Sequence, residues 1–454
     1  MDNHPMPKAR WSLLMIVILA IATGCGGGGD SGSTPAPTVA PNWGTAVLIE
    51  SDNTGDAAYP QIAIDTTGNA IAVWEQFDGS RYNIKANRYV LNVGWGTPVT
   101  IESGSGDARN PRIAMDPNGN AIAVWEQFNG TRYSIFANRY TAGGSWGSAV
   151  AIDANSTGTS ANPQIAMDSN GNAFAVWEQY DAAMTRDSIR ANRYAVSGSA
   201  WGTEATIDSG GTGNTGASAN PRVVVGSGGG AIAVWEQSAG GLSNIRANVY
   251  AGGWGTAELI ETDNTGNAYF PKVAVDSSGN AIAVWEQFNG TRYSIRANRY
   301  SGSWGVAEVI DAGGSGNAGA SGNAQVAMEP GGSAIAVWEQ SDGSLISIRA
   351  NRYSGGWGVA QLIETSGAGD AALPDVAMDG SGNAVAVWEQ FDGSLNNILA
   401  NRYSGAWIAA GLIETGNAGL AANARVAVNA GGRAVAVWEQ YDGTRMSIYA
   451  NRYN

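Results

Sequence analysis

One short unit, spelled eight times over, constrains this chain more than any other feature. The tryptophan of a Val-Trp-Glu-Gln motif falls at positions 74, 125, 177, 235, 285, 338, 388 and 438. A second tryptophan falls at 43, 95, 146, 201, 254, 304, 357 and 407, and opens a Trp-Gly pair in every copy but the last. Each unit closes on Ala-Asn-Arg-Tyr, as at 86–89 and 450–453, with Ala-Asn-Val-Tyr at 247–250 as the exception. A repeat of 50 to 58 residues is too short to bury a core alone, so neighbours must cover its faces.

Each unit reads as four short strands. In the first copy these are Thr45–Glu50, Gln61–Asp65, Ala70–Gln76 and Asn83–Tyr89, rich in Val, Ile, Trp and Tyr and bounded by Gly, Asn, Asp and Pro. Asp65-Thr66-Thr67-Gly68-Asn69 is a hairpin signal, since Gly and Asn accept the positive φ of a tight reversal. No helical periodicity is present. Ala70-Ile71-Ala72-Val73-Trp74 is apolar on both faces, which demands sheets stacked on both sides. The expected fold is therefore all-β: an eight-bladed propeller of four-stranded antiparallel blades. An open solenoid would need capping units, and neither end of the array differs from its middle.

Strand order follows from loop length. The connection from an outermost strand to the next innermost one must be the longest, and the longest linker is Ser51–Pro60 with its equivalents. Gln61–Asp65 is then innermost and the Trp-Gly strand outermost. The last copy has no such strand after Tyr453, so Thr45–Glu50 is expected to supply it and close the ring.

Residues 1–24 read as an export signal: Lys8 and Arg10, the apolar run Trp11–Ile21, then Ala22-Thr23-Gly24 leading to Cys25. The run resembles the lipobox of bacterial lipoproteins. That resemblance implies acylation of Cys25, and the Gly after it is compatible with sorting to an outer membrane. Residues 25–42, mostly Gly, Ser, Pro and Thr, read as a flexible tether, and 43–454 as the propeller. The tandem Gly-Asn-Ala-Ile-Ala-Val-Trp-Glu-Gln…Ala-Asn-Arg-Tyr…Gly-Trp units resemble repeat proteins of bacterial cell surfaces, and more distantly the kelch, NHL and Asp-box propellers. The expected address is the cell envelope, outer membrane or cell surface, with only the lipid reaching the bilayer.

Composition narrows the chemistry. Cys25 is the only cysteine and His4 the only histidine, and cleavage before Cys25 removes the latter, so His-based triads, His-ligated zinc and Cys nucleophiles drop out. The net charge is −14 with no basic run, which argues against nucleic acid.

The repeated Glu-Gln pair (Glu75/Gln76, Glu126/Gln127, Glu286/Gln287 and equivalents) should sit near the face of the long crossings. It offers either a ring of polar groups for a ligand or a structural pairing of each Glu with the Arg of Ala-Asn-Arg-Tyr (Arg88, Arg139). The following loops place Asp78, Arg81 and Tyr82, then Arg132 and Tyr133, then Arg292 and Tyr293 beside a phenylalanine. An aromatic plane with amide, carboxylate and guanidinium groups is the equipment of a sugar site, and an Asx-Gly turn is the plain alternative. Asp52, Asp56 and Asp263 alternate oxygen ligands as calcium loops do; no other cofactor is expected. Near-identical blades offer identical environments, so no enzymatic activity is expected. The asymmetric places are the longer loop Tyr180–Ser188, with Arg186 and Asp187, and the lengthened crossings at 209–221 and 312–324. The leading expectation is multivalent binding of a glycan or protein, then a scaffold in an envelope complex, then a glycan-active hydrolase.

Overall fold

The computed structural model describes residues 42–51, 54–153, 158–209, 216–262, 265–312, 319–364, 369–414 and 419–453. The segment holding Cys25 and the tether lies outside them, as do Asp52 and Asp263. The described residues form eight antiparallel sheets of four main strands each, arranged as a propeller. Blade 1 comprises Ala57–Ile64, Ala70–Phe77, Tyr82–Val90 and an outermost strand split into Gly94–Trp95 and Val99–Thr100. The innermost strands of blades 2 to 8 are Ala108–Met115, Ser160–Met167, Ser218–Val225, Ala268–Val275, Ser321–Met328, Ala371–Met378 and Ala421–Val428.

The ring closes as the loop lengths require. Val47 and Leu48 pair with Ala450 and Tyr449, and Trp43 bridges Tyr453, so the N-terminal strand is the outermost strand of blade 8. The innermost strand begins at Ala57, four residues earlier than the expected Gln61. A bulge at 59–60 hid this: register slips between Ala58 and Gln61, where a positive-φ residue and Pro60 interrupt the pattern of a strand. A proline is tolerated because one side of this strand faces the axis and needs no ladder partner.

Adjacent blades mesh small against large. The second strand of blade 2 turns Ala121, Ala123 and Trp125 toward Ile71, Val73 and Ile84 of blade 1 in one buried cluster. The same arrangement recurs round the ring, and all eight motif tryptophans are fully buried. In every blade but the fourth the indole N–H donates to the glutamine two residues on in the same strand, as from Trp74 Nε1 to Gln76 Oε1 at 3.1 Å. Each Asn of Ala-Asn-Arg-Tyr ties a third strand to the outermost strand before it, as Asn138 Nδ2 donates to the Ile101 carbonyl at 2.8 Å. The crossings need glycine where they pass the second strand. A Cβ on Gly369 would stand 2.7 Å from the Phe391 carbonyl oxygen, inside any tolerable contact.

Candidate binding funnel on the propeller axis

The repeated glutamates hold the ring together. Glu75 Oε1 accepts the backbone N–H of Asn110 in the next blade at 2.6 Å. Glu126 takes that of Asn162 at 2.7 Å, Glu286 that of Asn323 at 2.6 Å, and Glu439 closes the circle on Tyr59 at 2.6 Å. Every acceptor therefore reaches the bulge of the following innermost strand. The expected pairing of these glutamates with the Ala-Asn-Arg-Tyr arginines is corrected by the register. Glu75 stands opposite Ile84, whereas Arg88 stands opposite Ile71, four residues away along the strand. Arg88, Arg139, Arg352, Arg402 and Arg452 instead lie over a tyrosine of the next blade, as Arg88 does over Tyr140 at 5.8 Å. Burial pushes Glu75, Glu178, Glu286 and Glu389 up to about 7, against the backbone hydrogen bond each accepts.

Gln76 and Gln127 are buried; Gln76 Nε2 donates to the Gly55 carbonyl at 2.9 Å and Gln127 Nε2 to that of Ser103 at 2.7 Å. Gln287 accepts from Trp285 Nε1 at 3.0 Å. In the loops, Asp78 Oδ1 accepts from the Ser80 and Arg81 amides at 2.9 Å each, which with the Ser80 hydroxyl holds its carboxyl below the usual range. Arg81 reaches Glu102 at 3.0 Å, Arg132 reaches Asp153 at 3.2 Å and Arg292 reaches Asp311 at 3.3 Å. Each of these arginines fastens a hairpin to the crossing beside it. In the long loop of blade 3, Arg186 makes the same contact with Asp208 at 2.8 Å. The aromatic members remain on the surface: Tyr82 rests 5.1 Å from Phe77, Tyr133 5.5 Å from Phe128 and Tyr293 5.5 Å from Phe288. Asp56 Oδ1 accepts the Met446 amide at 3.0 Å.

On the axis the eightfold likeness breaks. A cavity of about 290 Å³ on the axis is lined by Gln61, Arg112, Gln164, Arg222, Lys272, Gln325, Asp375 and Arg425, one from each blade in order. Arg112 donates to the Pro111 carbonyl at 2.9 Å, Arg222 to that of Pro221 at 2.8 Å and Arg425 to that of Ala424 at 2.7 Å. Each bond spends one corner of the guanidinium on its own strand. Among the described residues no carboxylate lies within ion-pair distance of any of the four cations. Asp375 is occupied by the Val426 amide at 2.9 Å. Burial, with Arg222 and Arg425 adding to it, pushes the Lys272 ammonium well below its usual value. Burial also lowers Arg112 and Arg222; Arg222 and Arg425 deepen the shift of Arg112 against Glu126 and Glu75, and Arg425 deepens that of Arg222 against Glu178 and Glu236. Among the residues lining the cavity four cations meet one anion, Asp375, while the ring glutamates Glu75, Glu126, Glu178, Glu236 and Glu286 act on them from beyond ion-pair distance.

The sequence reading missed this ring, although its signal was present. The position after Pro60, Pro111, Pro163, Pro221, Pro271, Ala324, Pro374 and Ala424 is always polar and reads Gln, Arg, Gln, Arg, Lys, Gln, Asp, Arg. Its neighbours downstream are aliphatic or small throughout.

No family model matches the chain, and no curated protein matches it by sequence. Solved structures do. A Dyadobacter fermentans protein of unknown function is 11% identical over 80% of this chain and 99% of its own, with a TM-score of 0.43. The intramolecular trans-sialidase of Ruminococcus gnavus is 11% identical over 89% and 96%, with a TM-score of 0.37. A polysaccharide lyase, an ulvan lyase, is 10% identical over 84% and 96%, with a TM-score of 0.48. At these identities and scores no residue role passes from them to this chain. The expectation of a chain without enzymatic activity is nevertheless corrected. Its ground was that alike blades offer only alike environments, and the axial ring is unequal from blade to blade.

Proposed function

We propose that this chain is an envelope propeller that binds an acidic glycan over its axial funnel. The observation that carries the reading is the set of four cations, Arg112, Arg222, Lys272 and Arg425, converging on the axis with no carboxylate among the described residues within ion-pair distance, at a position where the blades differ. Gln61, Gln164 and Gln325 show that the strand itself needs no charge there. The mutual repulsion of the four is a cost to folding that a bound anion would offset. Uronate or sulfate groups match the planar fork of arginine, and the exposed ring of Tyr59, two residues before Gln61, offers a face for a sugar.

The test uses Arg112→Gln and Arg425→Gln together, since glutamine already occupies this position in three blades. The double variant should bind polygalacturonate at least about tenfold more weakly by calorimetry. Affinity of the parent protein should fall with added salt, and with rising pH as Lys272 loses its proton. Unchanged affinity in the variant would end the reading. Chromatography of the same polymer after incubation decides whether the funnel holds the chain or also cleaves it.

We also infer lipid attachment at Cys25, supported by the signal and tether around the single cysteine. Cys25→Ser should abolish incorporation of labelled palmitate and move the protein to the soluble fraction; retained label would refute it. A protein partner is the second reading. Its support is the exposure of Val47, Leu48, Val99, Val150, Leu259, Val309 and Leu362, all on outermost strands at the circumference.

A further inference from the structure

The bulge that receives each glutamate places one residue per blade at the mouth of the funnel, always with positive φ. These are Tyr59 (54°), Asn110 (52°), Asn162 (53°), Asn220 (52°), Phe270 (53°), Asn323 (51°), Leu373 (51°) and Asn423 (55°). Asparagine tolerates this region; a bulky side chain there is strained. The backbone duty is the same in every blade, because Tyr59, Phe270 and Leu373 donate their amides to Glu439, Glu236 and Glu339 as the asparagines do. Asparagine does more for the fold, since Asn110, Asn220 and Asn323 add a side-chain bond to the glutamate of their own blade. Tyr59, Phe270 and Leu373 cannot make that side-chain amide bond, and each carries a bulky side chain at positive φ. Strain of this kind gathers at ligand clamps.

Their placement is not random. Blades 1 and 5 stand four apart in a ring of eight, so Tyr59 and Phe270 face each other across the mouth. Tyr59 is 47% exposed. On its side Arg109 lies over the Tyr82 ring at 4.1 Å. On the far side Phe270 continues into Tyr269 at 6.0 Å, and Tyr269 into Tyr293 at 6.2 Å. The cations lie deeper, between the two aromatic banks. With packed sheets about 10 Å apart, opposite innermost strands stand on the order of 20 Å from one another, wider than a single sugar.

We propose that the funnel takes an interior stretch of a linear anionic polysaccharide, laid across the mouth from Tyr59 to Phe270 with an acidic group over the cations. This rests on the reading of the axis as a site for acidic glycans. The sugars above each bank stack their C–H faces on the rings, and the sugar between them supplies the charge.

Calorimetry with mono-, tri- and hexagalacturonate, and with chondroitin sulfate oligosaccharides of rising length, tests it. The hexamer should bind at least about tenfold more tightly than the monomer in one of the two series. In Tyr59→Asn/Phe270→Asn that ratio should collapse toward one, while the melting temperature stays level or rises because both strained residues are relieved. Affinity independent of length, or a ratio the double variant leaves intact, would overturn the inference. If binding is independent of length yet still lost on replacing Arg112 and Arg425, the anion site stands and only the groove falls. If nothing acidic binds at any length, both fall together.

Discussion

Glu126 sits where a charge is hard to keep. Its carboxylate is 8% exposed and accepts the Asn162 amide and the Asn110 side chain. Burial raises its pKa against those bonds, and it takes Glu75, Glu178, Glu286 and Glu389 from 4.5 to about 7. The folded state thus holds these protons more tightly than the unfolded chain does. Their contribution to stability is complete below about pH 4.5 and is lost as pH rises toward 7. The turn aspartates Asp78, Asp342, Asp392 and Asp442 act the other way, held low by turn hydrogen bonds, so their contribution disappears in acid. Urea midpoints should accordingly fall between about pH 5 and pH 7.5. Replacing the four raised glutamates by glutamine, which can still accept the amide, should flatten that slope. A slope unchanged by the replacement would mean that other groups set it.

At the scale of the element, the second strand was the most legible part of the sequence. Its two apolar faces, small on one side and large on the other, state that sheets stack against both, and the structure obeys. The innermost strand was harder to read, because its bulge at Tyr59-Pro60 mixes a forbidden φ with a proline and mimics a loop. The glutamates were misread for a related reason. Periodicity places Glu75 on a face but does not say that the neighbour reached across that face is a backbone amide of the next blade. The loop arginines looked like ligand groups because their anchors, Glu102, Asp153 and Asp311, lie some twenty residues ahead in a crossing of no fixed pattern. The axial ring is hard to read from a repeat because its residues, Gln61, Arg112, Gln164, Arg222, Lys272, Gln325, Asp375 and Arg425, share no single side-chain type.

At the scale of the whole molecule, ring closure carries the stability. Residues 42–50 supply the outermost strand of blade 8, and Ile49 is buried among Val437, Ile448 and Ala450. Asn451 bonds the Gly44 carbonyl at 2.9 Å and Arg445 bonds Glu50 at 2.9 Å, so the seam is hydrogen-bonded and charged as well as apolar. Deleting this strand should lower the melting temperature and leave the edge at Met446–Tyr453 unpaired, free to recruit another chain. Size-exclusion chromatography should then show dimers or larger species, which adding the strand back as a peptide reverses. A deletion variant that stays monomeric and melts as before would show that the seam is dispensable.

The same seam has a consequence in time. The strand at Val47–Leu48 leaves the ribosome some four hundred residues before its partner at Tyr449–Ala450. Through that interval the nascent chain holds a finished edge in reserve, and seven complete blades cannot yet be a circle. An interrupted translation product would carry an unmated strand at one end and an open face at the other, both conspicuous to proteases. Closure thus doubles as a checkpoint: until the last strand of blade 8 is present, Val47 and Leu48 have no strand to mate with.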